Sequence, residues 1–564
     1  MASITWSPTS GNNWSTNANW VGGVKPAVGD TAVFDGAVSS ANCTLDANQS
    51  ITGVTSTGAY AGTLTQAASI TLTLSGAFTW GSGAFSGSAA AITITGAFAV
   101  NGGTFLSTSG TLECRNNFTL AAAVFTHNSG TVKLAHTVNT AVALDFGGNT
   151  VNNLTLSNAD TADTVTTIAG DFSVAGDLLV TSTTGTANYG RTYTAVATSL
   201  ITITLAGNFT LSKGTAKVRW GSFATGDTSY VAVTMTGANK AVGSACTRNN
   251  GHLNLTGSGT TNLAYRDGNA PYTGTLTITQ SSGKALLTAN SIFYNLVISA
   301  SNELDVSASN YSVTVYSNLT VTGTFTPQAG TVTVNHTGVD ATITGGTFYD
   351  LVLHATATLA KTTTLAGTIT VANNLTITSA AGLSSARHTW SLTGTMTVTG
   401  NLTITETTSR ITLSFPGTLT VNGTITVNSG ILDASASNGT LNCGGNWSIA
   451  GTWTQRSGTV NLTGTNQTIS GSYTWFNFNK TVAAAATLTL PAGATQTVGG
   501  TLTLLGASGQ LLSLRSSTPG TTAAIRANGP RVIGYLDVKD CQGTHPTAID
   551  CVGKNCTDSG NNHT

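Results

Sequence analysis

Residues 76–120 read GAFTWGSGAFSGSAAAITITGAFAVNGGTFLSTSGTLECRNNFTL. Within this stretch Phe78, Phe98 and Phe118 recur at an equal spacing, each in a short phrase that alternates apolar and polar side chains. Alternation with a period of two residues is typical of a β-strand that buries one face. Glycine and asparagine stand between the phrases, and both tolerate the positive φ angles of tight corners. The stretch therefore predicts a strand-and-corner unit that stacks on itself.

The same phrase returns along most of the chain with less regular spacing. Its later copies are GDFSV (170–174), GNFTL (207–211), SNLTV (317–321), NNLTI (373–377), GNLTI (400–404), GTLTV (417–421), GNWSI (445–449) and GTLTL (500–504). Because alternate side chains of such a strand point inward, we expect core ladders built from the central apolar residues Phe78, Phe98, Phe118, Phe172, Phe209, Leu319, Leu375, Leu402 and Trp447. A triplet GTV at 130–132, 330–332 and 458–460 marks a larger repeat that overlays the short one.

These repeats predict an all-β fold, a long single-chain right-handed parallel β-helix (β-solenoid) with N- and C-terminal caps. Each turn of chain would take roughly 20–25 residues and contact only its neighbours. A string of β-sandwiches is the alternative fold, but it would need antiparallel hairpins and linkers between domains, and no linker stands out. The predicted organisation is an N-terminal Trp-rich cap (1–50), a repeat region (51–520) and a C-terminal cap or docking segment (521–564).

Charge is scarce and balanced. Charged residues make up 7% of the chain, and 21 basic residues offset 21 acidic ones. A nucleic-acid-binding domain concentrates basic charge on one face, so we expect no nucleic-acid partner. No apolar run approaches the ~18 residues of a membrane span, so we expect no membrane insertion. With 40% hydrophobic residues and no net charge, the composition also excludes the disordered class.

The first 50 residues are rich in aromatic side chains. Trp6, Trp14, Trp20 and Phe34 all fall in this short stretch. A solenoid exposes an apolar cross-section and open strand edges at its ends, and these need covering. We interpret the four rings as an N-terminal cap. A carbohydrate-stacking site is the alternative interpretation.

The last residues lose the threonine alternation and gather Cys541, His545, Cys551 and Cys556. These residue types suit zinc, but their spacing, C-x3-H-x5-C-x4-C, matches no common zinc finger. Three interpretations stay open: a metal site, a local or intermolecular disulfide, and plain thiols. We expect no bound metal and no cofactor, with this cluster as the weak candidate.

The sequence holds little that resembles a catalytic site. Glycosidic cleavage usually needs paired carboxylates, and acidic residues are sparse here. Glu303 and Asp305 lie two apart on a predicted strand and would share a face. They are interpreted as a solvated strand face, with calcium or sugar binding as the alternative. Asp171 and Asp177 sit at predicted corners, where aspartate hydrogen-bonds backbone. We therefore predict no catalytic residues and no enzymatic activity.

The phrasing resembles right-handed parallel β-helix repeat proteins of the bacterial surface adhesin, autotransporter-passenger and phage fibre or decoration type. The segment 4–36 resembles their entry segment, GTVNLTGTNQTISGSYTWFNF (458–478) their internal repeat, and 535–562 their closing segment. The resemblance covers nearly the whole chain. It implies a β-helix fold, but such rods serve many functions.

The first expectation for function is a non-enzymatic phage virion component: a head decoration, a fibre or a tail-associated rod. The sequence begins without the basic and apolar regions of a signal peptide, which favours a virion protein released by lysis. Its expected partners are other virion or surface-assembly proteins, further copies of itself as a homo-oligomer, and a host glycan. A bacterial extracellular adhesin or surface-fibre subunit is the alternative, with an extracellular or cell-surface location. A glycan-binding or depolymerising tailspike is the second alternative.

Overall fold

The structure is a computed structural model that describes residues 2–563, apart from 58, 137–138, 140, 160–163, 183–189, 196–199, 213–216, 221–229, 238–240, 245–247, 250–251, 266–273, 337–339, 357–359, 381–386 and 407–410. It divides into two compact units, Met1–Phe293 and Tyr294–Thr564. The sequence placed its boundaries elsewhere, around two terminal segments.

Both units are built from short β-strands that pair in parallel with strands one turn earlier and one turn later. Antiparallel contact among the described residues is confined to the isolated bridges Trp6–Trp20 and Ala507–Gln510. The helical content of the same residues is one 3-10 turn, Asn17–Asn19. Consecutive parallel strands with no intervening α-helix are the signature of a solenoid. The all-β, parallel β-solenoid prediction is confirmed.

The first unit begins with three sheets that share its core. The Phe78 sheet contains Ser3–Thr5, Thr31–Asp35, Gly53–Thr57, Phe78–Trp80, Phe98–Val100, Phe118–Leu120, Val142–Asp145, Thr164–Ala169, Gly190–Ala195, Lys217–Trp220 and Arg248–Asn249. The Leu72 sheet contains Gln49–Ile51, Leu72–Leu74, Ile92–Ile94, Thr111–Cys114, Thr131–His136, Asn153–Asn158, Leu178–Ser182, Phe209–Ser212, Ala241–Ser244, Thr261–Ala264 and Ala285–Leu287. The Leu64 sheet contains Cys43–Leu45, Thr63–Gln66, Ala84–Ser86, Thr104–Leu106 and Phe125–Thr126.

A fourth sheet follows the Leu64 sheet along the first unit. This Val151 sheet contains Thr150–Val151, Phe172–Val174, Leu200–Leu205, Tyr230–Met235, His252–Leu255 and Thr275–Ile278. The unit ends with the strand Ser291–Phe293.

The second unit is dominated by two sheets. The Leu296 sheet contains Asn295–Ile298, Leu319–Val321, Ala341–Phe348, Lys361–Val371, His388–Leu392, Thr395–Val398, Ile411–Ser414, Thr418–Val421, Ile431–Asp433, Thr440–Cys443, Thr452–Thr454, Thr459–Leu462, Asn477–Thr481, Leu502–Leu505 and Arg531–Gly534. The Leu351 sheet contains Val313–Val315, Thr331–His336, Asp350–Ala355, Leu375–Ser379, Leu402–Thr405, Ile425–Val427, Trp447–Ile449, Asn466–Ser470, Ala486–Leu490, Leu512–Ser516, Leu536–Lys539 and Thr557–Asp558.

Two smaller sets of strands complete the second unit. The strands Glu303–Asp305 and Thr324–Thr326 pair with each other. The Trp475 sheet contains Thr474–Trp475, Thr495–Val498, Ala523–Ala527 and Cys541–Gly543.

Turn length varies while the inward register is kept. Phe98 pairs with Phe118 one turn later. The turns from Leu178 to Phe209 and from Phe209 to Val242 contain more than one and a half times as many residues. Among the described strand pairs, the two shortest steps are equal in length and join Thr459 to Asn477 and Ala523 to Cys541. The range of turn lengths predicted from the sequence was therefore too narrow. Strand pairing fixes which side chains face inward, whereas the connecting segments are free to differ in length.

Asparagine at the corners has a specific role. The side-chain oxygen of Asn374 accepts the backbone N–H of Asn401 (3.0 Å), and that of Asn401 accepts the N–H of Thr424 (2.8 Å). Each amide thus satisfies a donor of the next turn. Glycine is needed where turns meet most closely, because a Cβ on Gly394 would lie 1.9 Å from the carbonyl oxygen of Gly367. These contacts explain the recurrence of glycine and asparagine between strand phrases.

Candidate functional site

The aromatic residues near the N-terminus form one buried cluster. Trp20 packs edge-on against Trp6 and Trp14, with ring centroids 5.0 and 4.7 Å apart. Phe34 contacts all three rings and continues the cluster to Trp80 in the Phe78 sheet. All three indoles are almost completely buried, so they offer no face on which a sugar ring could stack. Their burial fits the interpretation as a cap.

Asn19 organises this segment, and the sequence analysis did not single it out. Its side-chain oxygen accepts the backbone N–H groups of Thr9 and Ser10. Its amide donates to three backbone carbonyls, those of Ser10, Gly11 and Asn13. A fully buried amide with this many partners holds the loop in one conformation. Asn19 lies in the phrase NANW (17–20), but asparagine is so frequent in this chain that its position alone gives no signal.

The predicted core residues of the first unit line three different sheets. Phe78, Phe98 and Phe118 stack in register in the Phe78 sheet, with centroids 5.3 and 4.9 Å apart. Phe172 lies in the Val151 sheet, and Phe209 lies in the Leu72 sheet. All five are buried. A shared sequence phrase thus identifies inward-facing residues but does not assign them to one sheet.

The predicted core residues of the second unit occupy its two main sheets. Leu319 pairs with Leu296 in the Leu296 sheet. Leu375, Leu402 and Trp447 belong to the Leu351 sheet, where Leu375 pairs directly with Leu402. All four predicted residues are buried. They form the interior that supports the outer surface.

The C-terminal residues surround a cavity of about 280 Å³. Its walls are mostly apolar, with a polar margin, and are formed by Leu504, Leu514, Ile525, Leu536, Val538, Cys541, Gln542, Gly543, Ile549, Cys551, Cys556, Thr557, Asp558, Asn562 and His563. The strand Cys541–Gly543 and the segment that follows it form one side of the cavity. An apolar recess at the last turns fits the interpretation of residues 521–564 as a docking segment.

Three of the four residues in the weak metal candidate line this cavity, and the fourth does not. Cys541, Cys551 and Cys556 face it, whereas the His545 ring nitrogen Nδ1 lies 2.9 Å from the guanidinium of Arg531. Across the described part of the chain, no three His, Cys, Asp or Glu side chains converge as a metal site. The arrangement therefore separates the histidine from the thiols.

Two of the thiols lie on one short turn. The Cys556 thiol donates to the carbonyl oxygen of Lys554 (3.6 Å), and burial together with the nearby Cys556 side chain raises the pKa of Cys551 to about 12. Both residues are partly exposed. Cys541 is buried, its thiol donates to the carbonyl oxygen of Lys539 (3.4 Å), and burial raises its pKa to about 12. Cys43, Cys114 and Cys443 are buried free thiols elsewhere in the chain, and Cys246 lies outside the described residues.

Charged side chains stabilise the same end. The guanidinium of Arg515 donates to the carboxylate of Asp537, which also accepts the Ser559 hydroxyl (2.5 Å). Burial opposes the charge of Asp537, but the bonds from Ser559 and Arg515 outweigh it and hold the pKa below its usual value. The amide of Asn561 donates to Asp540 and lowers the pKa of that carboxyl as well. The final strands are therefore tied down by polar contacts.

The second unit buries two histidines side by side. The rings of His336 and His388 are 4.4 Å apart, and Trp390 packs against both. Both ring nitrogens of His336 lack a hydrogen-bond partner among the described residues, and the His388 Nε2 atom is 3.5 Å from the hydroxyl of Thr363. Burial lowers the pKa of His336 to about 4 and that of His388 to about 3, where the neighbouring imidazole adds to the effect.

A buried lysine occupies a comparable inward position. The Lys480 ammonium donates to the carbonyl oxygen of Gly464 and to the side-chain oxygen of Gln467. Its side chain has no exposed surface, and burial lowers its pKa to about 8. The sequence analysis missed these ionisable groups. The alternation itself held the signal, because Val332, Val334 and His336 share one parity, as do Phe478 and Lys480.

Two rows of uncharged polar side chains run in register along the outer surface of the Leu296 sheet. Thr395, Thr418, Thr440 and Thr459 succeed one another along one row. The second row is Thr420, Asn442, Asn461 and Asn479, in which each asparagine amide donates to the side chain of the preceding turn. A shallow depression of about 280 Å³ opens at the last turns of these rows. These two rows offer hydroxyl and amide groups rather than charge.

The acidic candidates are used within the fold. The Glu303 carboxylate accepts the hydroxyl of Thr326, and Asp305 accepts the backbone N–H of Ser307. Asp171 and Asp177 each accept a backbone N–H from the next turn, at Thr202 and Asn208 (2.8 Å each). Aspartate therefore plays the same corner role as asparagine.

No helix in the described ranges combines the length and the apolar character that crossing a bilayer requires. No protein-family model, no curated protein and no solved structure matches this chain.

Proposed function

We propose that this protein is a non-enzymatic structural component of a phage virion, as a head decoration, a fibre or a tail-associated rod. The observation that carries the proposal is the stacking of parallel strands over buried side-chain ladders within each unit. Each turn is held by backbone hydrogen bonds and by packed side chains on both sides, so a load on one turn is shared by its neighbours.

The C-terminal recess and the outer surface would have different roles. The C-terminal recess, with its apolar walls and polar margin, would dock on another virion protein. The rows of threonine and asparagine would face water or neighbouring copies, because hydroxyl and amide groups are hydrated without the long-range repulsion of charge. Dispersed side chains rather than a reactive group would carry this function.

Mass spectrometry of purified virions and of the surface-protein fraction of uninfected cells tests the proposal. We expect peptides of this chain in virions at a stoichiometry comparable to known structural proteins, and none on uninfected cells. Peptides confined to the surface fraction of uninfected cells would overturn the virion assignment and favour the extracellular adhesin or fibre subunit.

Glycan binding is a second candidate, favoured by the shallow depression on the Leu296 sheet. Thr459, Asn461, Asn477, Asn479 and Thr501 line it, and such groups pair readily with sugar hydroxyls. The test is retention of the purified chain on immobilised host polysaccharide, with the substitutions Thr459→Val and Thr501→Val as the matched variant. Equal retention of both proteins would reject this surface, and loss of polymer viscosity would favour a depolymerising tailspike.

A further inference from the structure

We propose that Cys551 and Cys556 are an intrachain disulfide site, oxidised when the protein meets a small-molecule disulfide such as oxidised glutathione. The inference does not depend on the proposed function. It rests on the placement of three thiols around the C-terminal cavity and on the differences between them.

The backbone brings the two cysteines together. The segment Cys551–Cys556 folds back on itself, and the backbone N–H of Lys554 donates to the carbonyl oxygen of Cys551 (3.2 Å). Gly553 and Asn555 have φ angles of +70° and +53°, which turn the chain sharply between the cysteines. The Cys556 thiol donates to the carbonyl oxygen of Lys554 within this turn (3.6 Å), and both cysteines line the same cavity. A disulfide between them would close the turn that the backbone already makes.

Exposure separates this pair from the third thiol. Cys551 and Cys556 are partly exposed, whereas Cys541 is buried. Cys541 belongs to the strand Cys541–Gly543, which pairs with Ala523–Ala527. Its thiol is directed to the carbonyl oxygen of Lys539. An oxidant in solution therefore reaches Cys551 and Cys556 but not Cys541, because thiol exchange requires access to the attacking sulfur.

The exchange balances as two successive displacements. One cysteine gives its proton to solvent, and the thiolate attacks oxidised glutathione, which forms a mixed disulfide and releases one glutathione thiolate. The second cysteine loses its proton and attacks the protein sulfur of that mixed disulfide. The second glutathione thiolate then leaves, and both take up protons. The two cysteines lose two electrons in total, and one oxidised glutathione becomes two reduced molecules.

The rate should depend on pH. Burial, the Cys556 side chain and the charge of Asp550 raise the pKa of Cys551 to about 12, whereas the charge of Lys554 opposes this shift. Little of Cys551 is therefore thiolate at neutral pH. We expect oxidation to be slow at pH 7 and to accelerate about tenfold for each pH unit in which the thiolate fraction rises tenfold.

The cross-link would fix one wall of the cavity. Ile549, Cys551 and Cys556 all line it. A disulfide removes conformations from the segment between its ends, so the oxidised protein would hold this recess in a narrower range of shapes.

Lys554 makes the test direct, because it lies between the two cysteines. Trypsin cleavage after Lys539 and Lys554 yields residues 540–554, with Cys541 and Cys551, and residues 555–564, with Cys556. The full-length protein is reduced, incubated in glutathione buffers of increasing oxidised fraction, then unfolded and alkylated in acid before digestion. We expect the two peptides to become linked, with the alkyl group on Cys541 in the fragmentation spectrum.

Two variants complete the experiment. Cys541→Ser should leave the linked peptide unchanged, whereas Cys551→Ser should abolish it and leave Cys556 as a glutathione adduct. A link through Cys541, two independent glutathione adducts in the unsubstituted chain, or free thiols in fully oxidised glutathione would each overturn the proposal. Unchanged far-ultraviolet circular dichroism in both variants establishes that they fold.

Discussion

Two stretches of the solenoid solve the same packing problem in opposite ways. In the first unit, the Phe78 sheet fills successive turns with stacked phenylalanine rings that carry no polar atom. In the second unit, turns at the same kind of inward position bury His336, His388 and Lys480. Inward direction is thus fixed by strand parity, whereas the chemistry placed there is variable.

The difference separates stability that is independent of pH from stability that depends on it. Phenylalanine burial contributes the transfer of apolar surface from water, and no proton is exchanged. A buried imidazole or ammonium group must stay neutral or lose its hydration. The two stretches should therefore respond alike to cavities but differently to acid and base.

Acidification should produce the largest difference. The pKa values of His336 and His388 are lowered to about 4 and about 3 from an ordinary value of 6.5. Below pH 6.5 the histidines take up protons in the unfolded chain but stay neutral in the folded chain. The free energy of unfolding therefore falls as the pH falls. Between pH 6.5 and pH 4 the loss is about 3 kcal/mol for each histidine. The groups facing the pair are Asp340, which opposes the shift, and Lys361, which favours it.

Hydrogen–deuterium exchange resolved by peptide measures this effect within one molecule. Peptides from 331–336 and 388–392 should lose protection at pH 4, after correction for intrinsic exchange rates, while peptides from 98–120 keep theirs. The double substitution His336→Leu and His388→Leu is the control, and it should remove the difference. The same loss of protection in that variant would show that other groups cause it.

Removal of one phenylalanine should have the next largest effect. Phe98 contacts Phe78, Phe105 and Phe118, with centroids 5.1–5.3 Å away for the first two and 4.9 Å for the third. Phe98→Ala should lower the free energy of unfolding by about 3–5 kcal/mol, because the cavity cannot collapse fully. Denaturant titration at pH 7 and pH 5 should give the same loss. A loss that changes with pH would break the comparison, and Phe98→Leu should cost clearly less.

Lys480 should add a dependence at alkaline pH. Its pKa is lowered from 10.5 to about 8, so between these values the unfolded chain binds more protons and stability rises with pH. The total rise is about 3 kcal/mol. In Lys480→Met this rise should disappear, although Gly464 and Gln467 lose a donor. Denaturant titrations from pH 7 to pH 10.5 check it, and an equal rise in the variant would assign the effect elsewhere.

A surface ion pair should matter least. Arg456 donates to Asp433 through two hydrogen bonds of 3.0 Å, and the arginine side chain is about half exposed. Asp433→Asn keeps the acceptor for Ser435 but removes the charge. The expected loss is about 0.2–1 kcal/mol and should shrink with added salt. A loss as large as that of Phe98→Ala would contradict this expectation and would show that the surface ion pair contributes as much to the free energy of unfolding as a core ring.

The sequence predicted the solenoid because alternation and corners repeat many times. The period of Phe78, Phe98 and Phe118 became a stack in register. The sequence did not predict which sheet each strand joins, because Phe172 and Phe209 carry the same phrase but lie in different sheets. That outcome depends on the length of the connecting segments, which no local pattern encodes.

The candidate sites were harder to predict for a different reason. The four C-terminal metal candidates were grouped by proximity in sequence, but His545 turns to Arg531 while the thiols line the cavity. The buried ionisable residues were not predicted because inward positions were identified by apolar residue types alone. A residue of the wrong chemistry at the right parity, such as His336, is itself a signal.

The variable turn length has a practical consequence for engineering. Short steps such as Thr459 to Asn477 coexist with long ones such as Phe209 to Val242, and strand register is kept in both, so length added between strands is absorbed locally. Lengthening a flexible loop twofold costs only about 0.6 kcal/mol. Gly493 and Gly520 stand at open corners, where an added Cβ would meet no atom within 4 Å. A foreign epitope placed at either corner would be displayed at a defined height along the scaffold, and epitopes placed on successive turns would be spaced by one strand separation.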